Sequence, residues 1–95
     1  KNSSTGEITE ISKTDGDPVM GVFVFIGAKP NSDLVNEFTN LENGYIVTDG
    51  DMRTDIPGVF AVGDVRVTPI RQIVTAAADG AIASISAEKY INENF

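Results

Sequence analysis

The sequence contains no cysteine and no histidine among its 95 residues. Without cysteine, these residues hold no disulfide framework, no thiolate metal site and no redox-active dithiol. Without histidine, they also lack the commonest metal ligand and general base. Metal-dependent chemistry and hydrolytic triads are therefore poor hypotheses for this chain, and we expect no metal site in it.

Positive charge is scarce as well, because seven Lys and Arg residues face fourteen Asp and Glu residues, for a formal net charge of −7. Nucleic acids and anionic membranes are bound through clustered positive side chains, so neither is an expected partner. No apolar run approaches the roughly 20 residues that cross a bilayer. The first residues also lack the apolar region of a signal peptide. These features predict a soluble, cytoplasmic protein.

Two apolar segments are typical of strands. Residues 19–26 are β-branched, aromatic and nearly uncharged, which predicts a strand buried on both faces in a helix-covered parallel sheet. Residues 59–62 form a second, shorter apolar run that is also predicted to be a buried strand. Residues 7–12 predict an exposed strand, although their alternation is poor.

Local turn and cap signals lie between these segments. Asn43-Gly44 predicts a tight turn of the hairpin type, followed by a short strand at residues 45–47. Residues 33–38 predict a short helix, with Asn31 or Ser32 as its cap.

The longest predicted element is the last helix, with Thr68 as N-cap and Pro69 at its first position. An apolar stripe at helical spacing is typical of a helix that faces a core, and here it consists of Ile70, Val74, Ala77, Ala78, Ala81, Ile82 and Ile85. Asp79 and Ser86 lie off this stripe. Gly80, in the helix interior, costs about 1 kcal/mol relative to alanine and predicts close approach of a backbone or ligand.

The candidate site lies where the strand at residues 59–62 is followed by Gly63-Asp64. In open α/β sheets, ligands bind beyond the carboxyl ends of the strands. Gly63 would let the backbone pass close to a ligand, and the Asp64 carboxylate can accept hydrogen bonds from sugar-type hydroxyls. The alternative is that Asp64 only caps a turn.

Arg71, Gln72 and Ile73 fall in the predicted first turn of the long helix. Backbone N–H groups there have no partner within the helix, and that end carries about half a positive charge. Such an end binds anions, and Arg71 would reinforce it while Gln72 adds amide donors and an acceptor. From the residues alone, an exposed polar turn without a ligand remains open.

The motifs resemble those of a known family. Residues 54–66 (TDIPGVFAVGDVR) and 70–76 (IRQIVTA) closely resemble the carboxy-terminal signature of the low-molecular-weight thioredoxin reductases. The upstream segments at residues 21–27, 30–31 and 41–46 agree with the same family in order and spacing. The resemblance covers essentially the whole chain.

The resemblance implies an α/β fold: the carboxy-terminal portion of a Rossmann-like FAD-binding domain, with short strands and one long helix. A strand or hairpin remnant of an NADPH-binding domain would precede it. On this basis residues 1–17 would be the tail of the NADPH domain and residues 18–27 a crossover strand. Residues 28–95 would then belong to the FAD-binding domain.

The resemblance also assigns roles at the candidate site. Asp64, in the Gly63-Asp64 signature that would belong to the cofactor site, would bind the ribityl–phosphate region of FAD. Arg71, Gln72 and Ile73 would meet the pyrimidine edge of its ring system, and no residue of this chain would be catalytic. The complete enzyme would pass electrons from NADPH through FAD to thioredoxin, and it would be a homodimer.

The sequence departs from the family pattern in what it lacks. Neither Gly-x-Gly-x-x-Gly fingerprint nor a Cys-x-x-Cys motif is present. We therefore expect a carboxy-terminal fragment with half an FAD site and no activity alone. The alternatives are a fragment of the alkyl hydroperoxide reductase flavin subunit, a fragment of a thioredoxin-reductase-like ferredoxin–NADP reductase, or a non-catalytic partner-binding module.

Overall fold

The computed structural model describes all 95 residues and contains four regular elements. Strand β1 (Leu41–Glu42) pairs antiparallel with strand β2 (Tyr45–Ile46). A single-turn 3₁₀ helix follows at Gly63–Val65, and helix α1 spans Ile73–Asn94. No helix is both long enough and apolar enough to cross a membrane.

The hairpin confirms the predicted turn. Leu41 lies opposite Ile46, and both turn residues adopt the left-handed conformation, with φ 51° at Asn43 and 85° at Gly44. Two consecutive positive φ values are what a two-residue type I′ hairpin turn requires. The hydroxyl of Ser32 donates a hydrogen bond to the Gly44 carbonyl oxygen, so this buried side chain fastens the hairpin and is not a helix cap.

The three other predicted strands and the short helix are wrong as regular elements. Residues 7–12 and 19–26 form no strand, and residues 1–29 are exposed throughout. Within residues 59–62 only Phe60 forms a bridge, with Arg53. Residues 33–38 form turns instead of a helix. A strand requires a hydrogen-bonded neighbouring strand, which residues 7–12 and 19–26 lack within this chain, and residues 59–62 have only the single bridge to Arg53. Residues 33–38 make only isolated turn hydrogen bonds, such as Val35 N–H to the Ser32 carbonyl oxygen.

The segment at residues 19–26 nevertheless keeps one feature of a strand. The rings of Phe23 and Phe25 lie parallel, with centroids 6.5 Å apart. Two residues of extended chain rise about 6.6 Å and share one face, so this spacing is the one expected of an extended backbone. Both rings are at least 82% exposed. The division at residues 17 and 27 stays a prediction.

Helix α1 begins later than predicted. Its N-cap is Gln72, with extended backbone angles (φ −144°, ψ 157°), so Thr68 and Pro69 precede the helix and do not start it. The Gln72 N–H donates to the Thr75 hydroxyl at 3.1 Å, and that hydroxyl donates to the Gln72 carbonyl oxygen at 2.8 Å. This local pairing provides a partner for the backbone N–H of the N-cap residue and fixes the point at which the helix begins.

The buried face of α1 is the polar one, which corrects the predicted orientation of the apolar stripe. Asp79 and Ser86 are buried, whereas Val74 and Ile85 are 72% and 68% exposed. Asp79 is held inward by an ion pair, described below, and small residues on its face let the helix approach the 3₁₀ helix. Within this chain, the aliphatic stripe has nothing to pack against.

Gly80 corrects a further expectation. A Cβ built at this position meets no atom within 4 Å, so no close approach explains the glycine. The only buried hydrophobic side chains of the whole chain are Ile46, Met52 and Ala61. This small core includes Ile46 of β2, and the bridge between Ile46 and Arg66 places the residue after the 3₁₀ helix beside that strand.

Candidate functional site

The structure brings the predicted site residues together. Gly63 begins the 3₁₀ helix, directly followed by Asp64, and the chain returns to place Gln72 at the N-cap of α1. A shallow pocket of about 300 Å³ lies at this point, lined by Asp64, Arg71, Gln72, Ile73 and Ala76. Four of its five lining residues are those singled out in the sequence.

A second pocket of about 280 Å³ adjoins the first. Asp64 and Arg71 line both pockets, and Tyr45 and residues 28–31 line only the second. A ligand longer than either pocket could therefore extend past Asp64 from the helix start toward residues 28–31.

The Arg71 side chain is held over the hairpin. Its guanidinium carbon lies 4.0 Å from the centroid of the Tyr45 ring, a cation–π contact. Its Nε donates a long hydrogen bond to the Asp64 carbonyl oxygen at 3.4 Å. The positive charge is therefore held between the Tyr45 ring and the Asp64 backbone, close to the start of α1. Sequence reasoning missed Tyr45, because spacing alone gives no signal for this contact.

Gly63 has a structural reason that the sequence did not reveal. Its φ is 75°, and a Cβ at this position would lie 3.3 Å from the Ala76 Cβ. Only glycine adopts the left-handed conformation without cost and leaves this space for the helix. The close approach predicted for Gly63 is therefore an approach to α1, and a ligand is not needed to explain it.

A buried ion pair lies directly behind the site. Arg66 donates from Nε to Asp79 Oδ2 at 2.6 Å and from Nη2 to Asp79 Oδ1 at 2.9 Å. The Gly63 N–H donates to the same Oδ2 atom at 3.0 Å. The two side chains are only 15% and 10% exposed. This bidentate geometry is the strongest form of Arg–carboxylate contact.

These hydrogen bonds shift the pKa of both groups. The hydrogen bond from Arg66 lowers the pKa of Asp79 below its ordinary value, and burial opposes this only in part. The same bond raises the pKa of Arg66. Both groups are therefore charged in the folded chain. Sequence reasoning placed Asp79 on the exposed face, because a pair 13 residues apart depends on the tertiary fold.

The arrangement suits an anionic ligand that carries hydroxyl groups. Asp64 supplies an exposed carboxylate that can accept hydrogen bonds from hydroxyls. Arg71 supplies a guanidinium, and the start of α1 supplies first-turn N–H groups and the positive end of a 22-residue helix. Gln72 adds a side-chain amide with donors and an acceptor. A flavin dinucleotide fits this donor set.

Comparison with known proteins decides the family. The family model described as pyridine nucleotide-disulphide oxidoreductase matches residues 1–80. The chain belongs to this family. It is 55% identical over 96 aligned positions to a thioredoxin reductase of Peptoclostridium litorale, which covers 100% of this chain and 30% of that protein. A thioredoxin reductase of Peptoclostridium acidaminophilum is 52% identical, with the same coverage.

The solved structures agree with these sequence matches. Thioredoxin reductase from Lactococcus lactis superposes with a TM-score of 0.71 at 47% identity, over 77% of this chain and 24% of that chain. The enzyme from T. acidophilum gives 0.67 at 37% identity, with the same coverage. The α/β class is thus confirmed, and this member of the pyridine nucleotide-disulphide oxidoreductase family spans about 30% of the length of the curated relatives above.

Proposed function

We propose that this chain is the carboxy-terminal part of a thioredoxin reductase. The complete polypeptide would take a hydride from NADPH onto FAD and pass two electrons through a dithiol to the disulfide of thioredoxin. The observation that carries the proposal is the convergence of Asp64, Arg71, Gln72 and Ile73 on one pocket in a chain 55% identical to a thioredoxin reductase.

The residues of this chain would hold FAD without taking part in bond making. Asp64 would accept hydrogen bonds in the ribityl–phosphate region. Arg71, Gln72 and Ile73, at the start of α1, would meet the pyrimidine edge. When bound, FAD supplies the redox chemistry between nicotinamide and disulfide. The positive helix end would stabilise the negative charge that a reduced flavin carries near N1 and O2.

Other parts of the proposal concern the complete protein. Its dithiol and both dinucleotide fingerprints would come from residues outside the present sequence. Thioredoxin would be its protein partner, and both dimerisation and a cytoplasmic location stay predictions.

The test uses the complete polypeptide. Purified protein should show flavin absorbance and reduce thioredoxin disulfide with NADPH. Asp64→Asn should weaken FAD binding about tenfold, equivalent to about 1.4 kcal/mol, because the neutral amide accepts hydrogen bonds less strongly. Asp15→Asn, at an exposed residue far along the chain from the site, is the matched control and should bind FAD normally.

Contrary outcomes separate the alternatives. A colourless protein that takes up no added FAD would refute the proposal and favour a non-catalytic module. A flavoprotein that reduces a peroxidase partner or ferredoxin, but not thioredoxin, would be one of the two sister enzymes. In that case the flavin site would stand and the acceptor would be wrong.

A further inference from the structure

We propose that the buried Arg66–Asp79 pair positions the flavin site, by fixing the Gly63–Val65 turn against the start of α1. This inference rests on the proposed function, because it concerns how the same FAD site is held. Asp79 and Arg66 are positioning residues in this scheme. They act through Asp64 and need not touch the cofactor.

Asp79 joins the two elements that carry the site. It lies on α1 six residues after Ile73, or about 9 Å along the helix axis at 1.5 Å per residue. Its carboxylate accepts the Gly63 N–H at 3.0 Å, and the next residue in the turn is Asp64. The Asp79 side chain thus fixes how far Asp64 lies from the first turn of α1, which begins at Ile73.

Arg66 extends the same network toward the hairpin. Its Nη1 donates to the Thr48 hydroxyl at 3.2 Å and to the Val67 carbonyl oxygen at 3.1 Å. Arg66 also forms a parallel bridge with Ile46 of β2. The neighbouring residue of β2 is Tyr45, whose ring holds Arg71. Both charged residues of the pocket are therefore connected to the pair.

Few other contacts hold the turn in position. The left-handed φ of 75° at Gly63 is intrinsically accessible to glycine but not enforced by it. The contact of the Gly63 position with Ala76 prevents approach but does not attract. The hydrogen bond from Gly63 and the ion pair with Arg66 are the short attractive contacts by which Asp79 keeps the turn against α1, and the only polar contact between Asp64 and Arg71 themselves is the long one of 3.4 Å. Their loss should loosen Asp64 relative to Arg71.

The experiment measures FAD dissociation constants in the complete polypeptide. Asp79→Asn keeps the size of the side chain and removes the ion pair, so the dissociation constant should rise about tenfold. When Asp64→Asn is already present, adding Asp79→Asn should raise the FAD dissociation constant less than about twofold. The reason is that Asp79 acts through Asp64, and the effects of coupled residues are not additive. The visible flavin spectrum of the Asp79→Asn holoprotein should also shift.

Two further variants keep the test decisive. Arg66→Lys keeps the charge but loses the bidentate contact, so it should weaken FAD binding about threefold even if Asp79→Asn does not fold. Gly58→Ala is the control for general destabilisation. A Cβ there would lie 3.1 Å from the Tyr90 ring at a φ of 81°, outside both site pockets. It should lower the melting temperature and leave the FAD affinity unchanged.

The inference is overturned if Asp79→Asn and Arg66→Lys bind FAD within twofold of the wild type. Equal weakening by Asp79→Asn in both backgrounds also overturns it, because Asp79 would then support the fold without acting through Asp64. Failure of the proposed function looks different, because the wild-type protein itself would take up no FAD.

Discussion

At the scale of single residues, Gly63 is a position that tolerates no side chain without cost. Gly63→Ala places a side chain in the left-handed region, which costs about 1–2 kcal/mol, and sets its Cβ 3.3 Å from that of Ala76. We expect the free energy of unfolding to fall by at least that amount in denaturant titrations. Gly50→Ala is the matched control, because its φ is not positive and its Cβ meets no atom within 4 Å. Equal effects of the two variants would contradict the prediction.

The ion pair makes a residue-scale prediction about pH. The folded-state pKa of Asp79 is lowered, first by the hydrogen bond from Arg66, whereas the unfolded value is about 3.9. The stabilisation is therefore present above about pH 4 and is lost as the pH falls through the lower folded value. Acid unfolding of Asp79→Asn should show a shallower loss of stability below pH 4 than the wild type does. Parallel curves would show that the carboxylate contributes nothing.

At the scale of elements, helix α1 carries an interior glycine that this chain does not explain. Nothing lies within 4 Å of a Cβ at Gly80, so Gly80→Ala should stabilise the helix by up to about 1 kcal/mol. Thermal unfolding of the complete polypeptide measures this. Ser84→Ala, on an exposed position of the same helix, controls for helix propensity. Destabilisation by Gly80→Ala would mean that another part of the polypeptide packs against this position.

The elements that sequence predicted correctly are those set by local chemistry. Asn43-Gly44 determines the hairpin turn because only such residues accept two positive φ values, and the apolar period of 3.6 predicts a long final helix. The helix start was misplaced because Thr68-Pro69 is as good a start signal as the pairing of Gln72 with Thr75. Local preference could not choose between them.

The missed features depend on residues far apart in the chain. A strand at residues 19–26 requires a neighbour that the sequence cannot name, and the inward orientation of Asp79 depends on Arg66. More of the candidate site could be predicted, since Asp64 and residues 71–73 line one pocket. Their convergence depends on local order in the chain, because the 3₁₀ helix at Gly63–Val65 lies only a few residues before the start of α1. The place of Tyr45 at the site could not be predicted, because it depends on a tertiary contact with Arg71.

At the scale of the whole molecule, the chain is far from compact. Its radius of gyration is 20.7 Å, against about 12 Å for a globular domain of this length. Its accessible surface is 7739 Å², whereas a folded monomer of this mass exposes about 5,300 Å². The proposed function predicts that other parts of the complete polypeptide cover this excess surface.

This surface predicts self-association of the chain when it is produced alone. The exposed apolar residues of segment 22–26 and of the α1 stripe form the kind of uncovered surface that aggregates. Sizing chromatography should show concentration-dependent oligomers, and the double variant Phe23→Ser, Phe25→Ser should reduce them. The control double variant Glu7→Ser, Glu10→Ser replaces two exposed polar residues and should not reduce the oligomers. A monodisperse monomer at all concentrations would refute this prediction.

The Arg66–Asp79 pair has a consequence for the divergence of this family. A buried charge left without its partner is costly, whereas replacing both members with uncharged side chains can be nearly neutral. Substitution at either position alone should therefore be selected against, and the two should change together. Homologues with an uncharged residue aligned to Arg66 should then carry an uncharged residue aligned to Asp79. Family members that keep both charged residues should therefore group together in a phylogenetic tree.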